Sequence, residues 1–234
     1  MKARSGQRAV GAGAIALAVA FNVPYAGLAA TFQYPAVLRR PADEVLALFL
    51  AAGPELIVLW YGFMLCALAM TAIAPLLAIS PPRLAVSPAL AVGAAISGSL
   101  AGLAQAVGLS RWVFAVPELA RAQGEASAAA QSGFQLLNAW GGVAIGEHIG
   151  QSLTALFVLQ MALMQRTEPG YAFAARAGFL TALMLAVGTG EGLMMALGGS
   201  GAVFAAVTSA GFVGLTLWLL ATGVGLVHNS KRGN

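Results

Sequence analysis

Apolar residues dominate six stretches of the chain, roughly 9–30, 54–79, 88–110, 139–165, 171–197 and 202–228, and most polar residues fall in the gaps between them. About 20 helical residues cross the roughly 30 Å of a bilayer's hydrocarbon, so each stretch is long enough to span it. Helices are the required form, because lipid offers no partner to an open backbone. The apolar–polar alternation of a membrane β-barrel is absent. The pattern predicts an all-α fold: a polytopic membrane helical bundle of about six transmembrane helices, one domain over residues 1–234.

The first stretch carries a second reading. Lys2, Arg4 and Arg8 precede an apolar run that ends in AGLAA, as in a secretory signal peptide. The run is longer than a usual signal core of about 7–15 residues, although Asn22 and Pro24 interrupt it, and a retained helix is the expectation. Orientation follows from the bias of Lys and Arg toward cytoplasmic loops. Lys2, Arg4, Arg8, Arg83, Arg166, Arg176, Lys231 and Arg232 place eight of the twelve basic residues on one side, against Arg39, Arg40, Arg111 and Arg121 on the other. Both termini are expected to be cytoplasmic.

Composition agrees with the pattern. Hydrophobic residues make up 59% of the chain and charged residues 9%, against about 25% charged in ordinary soluble domains. Mean hydropathy is +0.84. The net charge of +4 follows from the loop asymmetry, and no basic run interleaved with aromatics points to nucleic acid. Cys66 is the one cysteine and lies within a span, which excludes a disulfide framework or a thiol metal cluster. No GxSxG elbow, phosphate loop or dinucleotide fingerprint stands in its required strand–turn–helix context.

Both expected outer loops look structured. Pro41 begins a helix with Asp43 and Glu44 in its first turn, favourable at the positive end of the dipole, and Gly53–Pro54 breaks the chain before the second span. Trp112 and Phe114 follow Arg111 at the end of the third span, as residues of an interfacial belt would.

The chemistry is concentrated in GGVAIGEHIGQ, residues 141–151, where Glu147 and His148 sit about two turns into the fourth span. Charges near the bilayer centre cost roughly 2.5–3.5 kcal/mol on insertion scales, so such groups face the bundle interior or a cavity. At α-helical spacing Trp140, Glu147, Gln151 and Thr154 share one sector with His148 just beyond its edge. Gly142, Gly146 and Gly150 form a GxxxGxxxG row on roughly the opposite side, where small residues let a neighbouring helix approach closely. Glu191 in the fifth span, Glu55 at the start of the second, and Gln105 with Arg111 in the third are expected toward the same outer half. A network of Glu147, His148, Glu191 and Arg111 is the simplest arrangement that strands none of these charges. Plainer readings stand beside it: Glu55 complements a helix N-terminus, Arg111 anchors the interface, the methionines pack, and His228 is a helix-end cation.

AGLAQAVGLSRWVFAVPELA (101–120) and LNAWGGVAIGEHIGQSLTALFVL (137–159) resemble blocks of a bacterial six-helix membrane family, domain of unknown function 4386. The resemblance implies a bacterial cytoplasmic (inner) membrane location and assigns no catalytic residue or cofactor. Two function classes follow. The first is a membrane module with an outward-facing polar pocket that binds, senses or transports a small molecule, lipid or proton, its other partner being the bilayer. The second is a membrane enzyme or redox protein using His148 and nearby carboxylates. Against the second, His148 and His228 lie near opposite faces, which disfavours a bis-histidine haem. Adjacent Glu147 and His148 point about 100° apart on an α-helix, so no metal site is expected. Binding or transport, rather than catalysis, is the expectation, with the ligand and oligomeric state open.

Overall fold

The computed structural model describes residues 2–123 and 127–232, with side chains placed over 6–123 and 127–230. Of the residues behind the charge bias, Lys2, Arg4, Lys231 and Arg232 lie outside the described side chains. In chain order the elements are α1 (Lys2–Phe32), a 3₁₀ turn (Ala36–Arg39), α2 (Ala42–Ala52), α3 (Pro54–Ala78) and α4 (Pro81–Val86). There follow α5 (Pro88–Phe114), α6 (Val116–Ala122), α7 (Ser127–Leu137) and a wide π-wound segment (Asn138–Ile149). The chain ends with α8 (Gly150–Gln165), α9 (Ala172–Gly188), α10 (Gly190–Ala196) and α11 (Ala202–Arg232). No strand occurs among the described residues.

Six helical stretches are long and apolar enough to cross a membrane: Gly6–Phe32, Pro54–Ala78, Pro88–Ala122, Ser127–Gln165, Ala172–Ala196 and Ala202–Ser230. The protein is thus a multi-pass membrane helical bundle. Proline starts several helices where its missing N–H goes unused, as at Pro54 and Pro88. Between α2 and α3 the chain turns at Gly53 with φ 74°, a conformation that costs a residue without a Cβ little.

The spanning helices close a ring: α1 packs on α3, α3 on α5, α5 on α8, α8 on α9, α9 on α11, and α11 back on α1. Lipid is as apolar as leucine, so these contacts rest on close packing of small residues and on hydrogen bonds rather than on a hydrophobic drive. At Gly102 of α5 an added Cβ would lie 2.6 Å from the Ala67 carbonyl oxygen of α3. At the seam where the ring closes, a Cβ on Gly11 would lie 2.7 Å from the Gly223 carbonyl oxygen, and Asn22 Nδ2 donates to Thr216 Oγ1 at 3.1 Å.

Both chain ends reach one face of the ring, the terminal face. There Arg83 grips Glu168 in a two-pronged ion pair, at 2.5 Å from Nε and 2.7 Å from Nη2. The opposite face carries a cap built from the 3₁₀ turn, α2, α6 and α7. Two separate cores result. One joins the cap to the helix ends through Phe32, Leu46, Phe49, Trp60, Trp112 and Phe134, and the other fills the terminal half of the ring around Ala74, Phe157, Met161 and Trp218. Trp112 is fully buried in the cap core, stacked 4.7 Å from Trp60, and not in an interfacial belt; only Phe114 is exposed as a belt residue would be. The cap buries Trp112 because it continues the hydrophobic interior past the point where α5 was expected to meet headgroups.

Polar groups in the terminal core are paired. Gln165, with no exposed surface, donates from Nε2 to Thr222 Oγ1 at 3.0 Å and accepts from Trp218 Nε1 at 3.1 Å. Gln165→Leu removes the partner of two buried groups at once, and unsatisfied buried groups cost about 1–3 kcal/mol. A fall in unfolding temperature of about 5 °C in detergent is expected, at roughly 2–4 °C per kcal/mol for a chain of this size. An unchanged melting curve would show that Trp218 and Thr222 find other partners.

Candidate functional site

Between the two cores the ring is not filled. On the cap side lies an upper chamber of ≈ 590 Å³, its open mouth included, with Tyr34, Trp60, Arg111, Trp112, Glu147 and Gln151 in its walls. Toward the terminal face lies a lower chamber of ≈ 570 Å³, its open side included, with walls of Leu17, Cys66, Met70, Phe157, Leu215 and Leu219. Phe21, Gln105 and Phe212 line both, so the two chambers adjoin across these three side chains.

The π-wound segment shapes the upper wall. Its bonding is visible at the exit, where Gly150 N–H donates to the carbonyl of Ile145, five residues back. Such wide winding is uncommon and concentrates at functional sites. It also overturns the expected separation of a glycine side from a polar side: Gly142, Gly146, Glu147 and Gln151 all line the upper chamber. The glycine row runs along α5. An added Cβ would lie 2.7 Å from Arg111 Cζ at Gly142, 3.1 Å from Gly108 Cα at Gly146 and 2.9 Å from Gln105 Cγ at Gly150.

The carboxylates are brought together, though by a residue that the sequence reading did not single out. Arg39, at the end of the 3₁₀ turn, reaches Glu147 Oε2 at 2.5 Å from Nη2 and Glu191 Oε1 at 2.8 Å from Nε. The Arg39 side chain is 28% exposed, Glu147 21% and Glu191 10%. Burial works against the Arg39 charge, but the pairing with Glu147 and then Glu191 more than offsets it and raises its proton affinity. The clasp ties the loop after α1 to the fourth and fifth spans. Nearby Tyr34, half-buried in the upper wall, has its phenol pushed above the ordinary range by desolvation first and by the Glu147 charge second, so it stays protonated.

The expected network of Glu147, His148, Glu191 and Arg111 is therefore corrected. Arg111 is buried, makes no ion pair among the described residues, and donates to the Gly108 carbonyl at 2.5 Å and to Asn138 Oδ1 at 3.2 Å. Its Cζ stands 5.1 Å from the centre of the Trp112 ring, a cation–π contact rather than an interfacial anchor. His148 is exposed, and its Nδ1 lies 3.0 Å from the Thr189 carbonyl, where α9 gives way to α10. Gln151 is buried and accepts a long bond from Thr208 at 3.5 Å, while Gln105 donates to Thr154 at 2.9 Å. Trp140, 67% exposed, lies outside the chamber walls, as does Glu55, exposed at the start of α3. No three His, Cys, Asp or Glu side chains of the described residues converge as a metal site would require. Arg39 occupies the position between Glu147 and Glu191 where a bound cation would otherwise bridge them.

Arg39 stood in the sequence as one half of an arginine pair in a loop, with the bland role of an outer charge. Two carboxylates toward one side of a membrane do ask for a cation, but Arg39 and Arg111 were both available. Only the path of the 33–41 loop over the chamber mouth decides between them.

Comparison with known proteins finds one family, described as Domain of unknown function (DUF4386), matching residues 9–223. No curated protein and no solved structure matches the chain.

Proposed function

The chain belongs to the DUF4386 family, and we propose that its work is to bind a small amphipathic molecule in the paired chambers, as a sensing or transporting module rather than an enzyme. The observation that carries this reading is that an upper chamber with polar groups in its walls adjoins a lower one walled almost wholly by apolar side chains, inside a single ring of helices. Ligand sites are typically apolar clefts with a few convergent polar groups, and they favour the space between helices of a bundle. The charge bias of the loops supports a cytoplasmic terminal face and a chamber mouth that opens outward, and the resemblance of the 101–120 and 137–159 blocks supports the cytoplasmic membrane of a bacterium. An enzymatic reading lacks a comparable support, since His148 lines neither chamber and the carboxylates are paired with Arg39.

Cys66 provides the test. As the one cysteine of the chain, half-buried in the lower chamber, it reports occupancy without any substitution. Protein isolated in mild detergent is expected to carry an amphiphile detectable by native mass spectrometry. Cys66 should then react with a small maleimide several-fold more slowly than after exhaustive delipidation. Equal labelling before and after, with no bound molecule in either sample, would overturn the reading.

A further inference from the structure

Five buried side-chain nitrogen or oxygen atoms of the described residues have no hydrogen-bond partner: Trp60 Nε1, Arg111 Nε, Trp112 Nε1, Gln123 Oε1 and Thr181 Oγ1. Three of these belong to walls of the upper chamber, and all three are N–H donors. They are also neighbours. The Trp60 and Trp112 rings stack 4.7 Å apart, and Arg111 Cζ stands 5.1 Å from the Trp112 ring centre. Neither indole has exposed surface, and Arg111 is only 7% exposed. Leaving one such donor unpaired is costly, and three in one cluster is a pattern that structures seldom retain without a function.

Charge sharpens the point. Glu147, the carboxylate in the chamber wall, is already paired at the mouth with Arg39, which also holds Glu191. Arg111 has no carboxylate within salt-bridge reach among the described residues. A guanidinium has five donors and no acceptor, and its strongest partners are oxyanions. Two of the Arg111 nitrogens spend a bond each on Gly108 and Asn138, which fixes the side chain while leaving Nε unpaired.

Resting on the reading of the chambers as an amphiphile site, we infer that the ligand is acidic: a single-chain amphiphile whose head is an oxyanion, a carboxylate or a phosphate monoester. Its charge is matched by Arg111, its oxygens accept from the cluster of unpaired donors, and its chain lies in the lower chamber. Arg111 is thus a ligand-recognition residue. The apolar lower walls suit an alkyl chain, and the surrounding bilayer is the supply. A cationic ligand is disfavoured because it would face the Arg111 guanidinium and further N–H donors, while the one carboxylate of the wall, Glu147, is already paired with Arg39.

The test uses the delipidated full-length protein in a neutral detergent. Binding of palmitate, palmitoyl lysophosphatidic acid and hexadecanol is measured directly by native mass spectrometry and in parallel by protection of Cys66 from maleimide. Both acids are expected to bind at least tenfold more tightly than the alcohol, and whichever binds tighter identifies the head as carboxylate or phosphate. Arg111→Gln should bring the acids down to the level of the alcohol while the alcohol still protects Cys66, with Arg111→Lys retaining part of the preference. Trp60→Phe and Trp112→Phe, which remove the indole N–H and keep a ring, should each weaken acid binding about threefold to tenfold. If Arg111→Gln does not fold, the comparison of acid with alcohol on the unaltered protein still decides. Equal binding of acid and alcohol, or an acid preference that survives Arg111→Gln, overturns the inference and leaves the chambers as a site for apolar chains. Failure of all three probes to bind or protect overturns the amphiphile site itself, and the inference with it.

Discussion

Arg39→Ala is expected to lower the unfolding temperature of the detergent-solubilised protein by about 5–10 °C. The substitution leaves Glu147 and Glu191 facing each other across the chamber mouth with no cation between them. Removing one partner of a fully buried pair costs about 3–5 kcal/mol, whereas exposed pairs are worth roughly 0–1 kcal/mol. The Arg39 side chain is 28% exposed and its partners less so, which places the effect between these limits, about 2–3 kcal/mol. At roughly 2–4 °C per kcal/mol that is the stated shift. The cause can be isolated by a rescue. Adding Glu147→Gln and Glu191→Gln to an Arg39→Met variant removes all three charges, and most of the lost stability should return. Thermal unfolding of the single and triple variants in one detergent measures both; a harmless Arg39→Ala, or a triple variant no better than the single, would show that the clasp is not what holds the loop.

Gly146→Leu should be more damaging still and remove most of the folded protein. Gly146 and Gly108 meet backbone to backbone: a Cβ added at Gly146 would lie 3.1 Å from Gly108 Cα, and one added at Gly108 would lie 2.6 Å from Gly146 Cα. A leucine there has no flexible neighbour to displace, only the main chain of α5. Overpacking of well-packed interiors costs about 1–3 kcal/mol and more where backbone must move. Ala144→Leu, on the same segment and as half-buried as Gly146 but outside the seam of Gly108 with Gly146 and Gly141, should keep near-normal yield in size-exclusion chromatography. Equal losses from both substitutions would mean that the whole π-wound segment, rather than its seam with α5, is intolerant of bulk.

How much of this was legible in the sequence depended on which physical rule was at work. The six spans could be read because the length of an apolar run is set by the bilayer, a local property. The helix after Pro41 could be read for the same reason, since Pro41, Asp43 and Glu44 mark a start whatever the rest of the chain does. Glu147 and Glu191 could be suspected because charge in hydrocarbon is conspicuous wherever it lies. The partner could not, because pairing Arg39 with them depends on a loop folding back over the ring. The sides of the fourth span were misjudged because a projection at 3.6 residues per turn does not apply to a π-wound segment. Trp112 was assigned to the membrane interface for want of any signal that α2, α6 and α7 would roof the bundle and bury it.

The closure of the ring between α1 and α11 bears on how the protein is made. Synthesis delivers the helices one after another, yet the wall that completes the chambers is the last to emerge. Until α11 is inserted, Asn22 in α1 lacks its Thr216 partner and Gly11 faces no opposing backbone. The lower chamber likewise lacks Leu215 and Leu219. Before α11 docks, the other five spanning helices form a trough open on the side between α9 and α1, and docking of α11 closes that side. Any molecule already lying in the trough at that moment is enclosed with it, so the bilayer in which the chain is assembled has the first opportunity to fill the chambers.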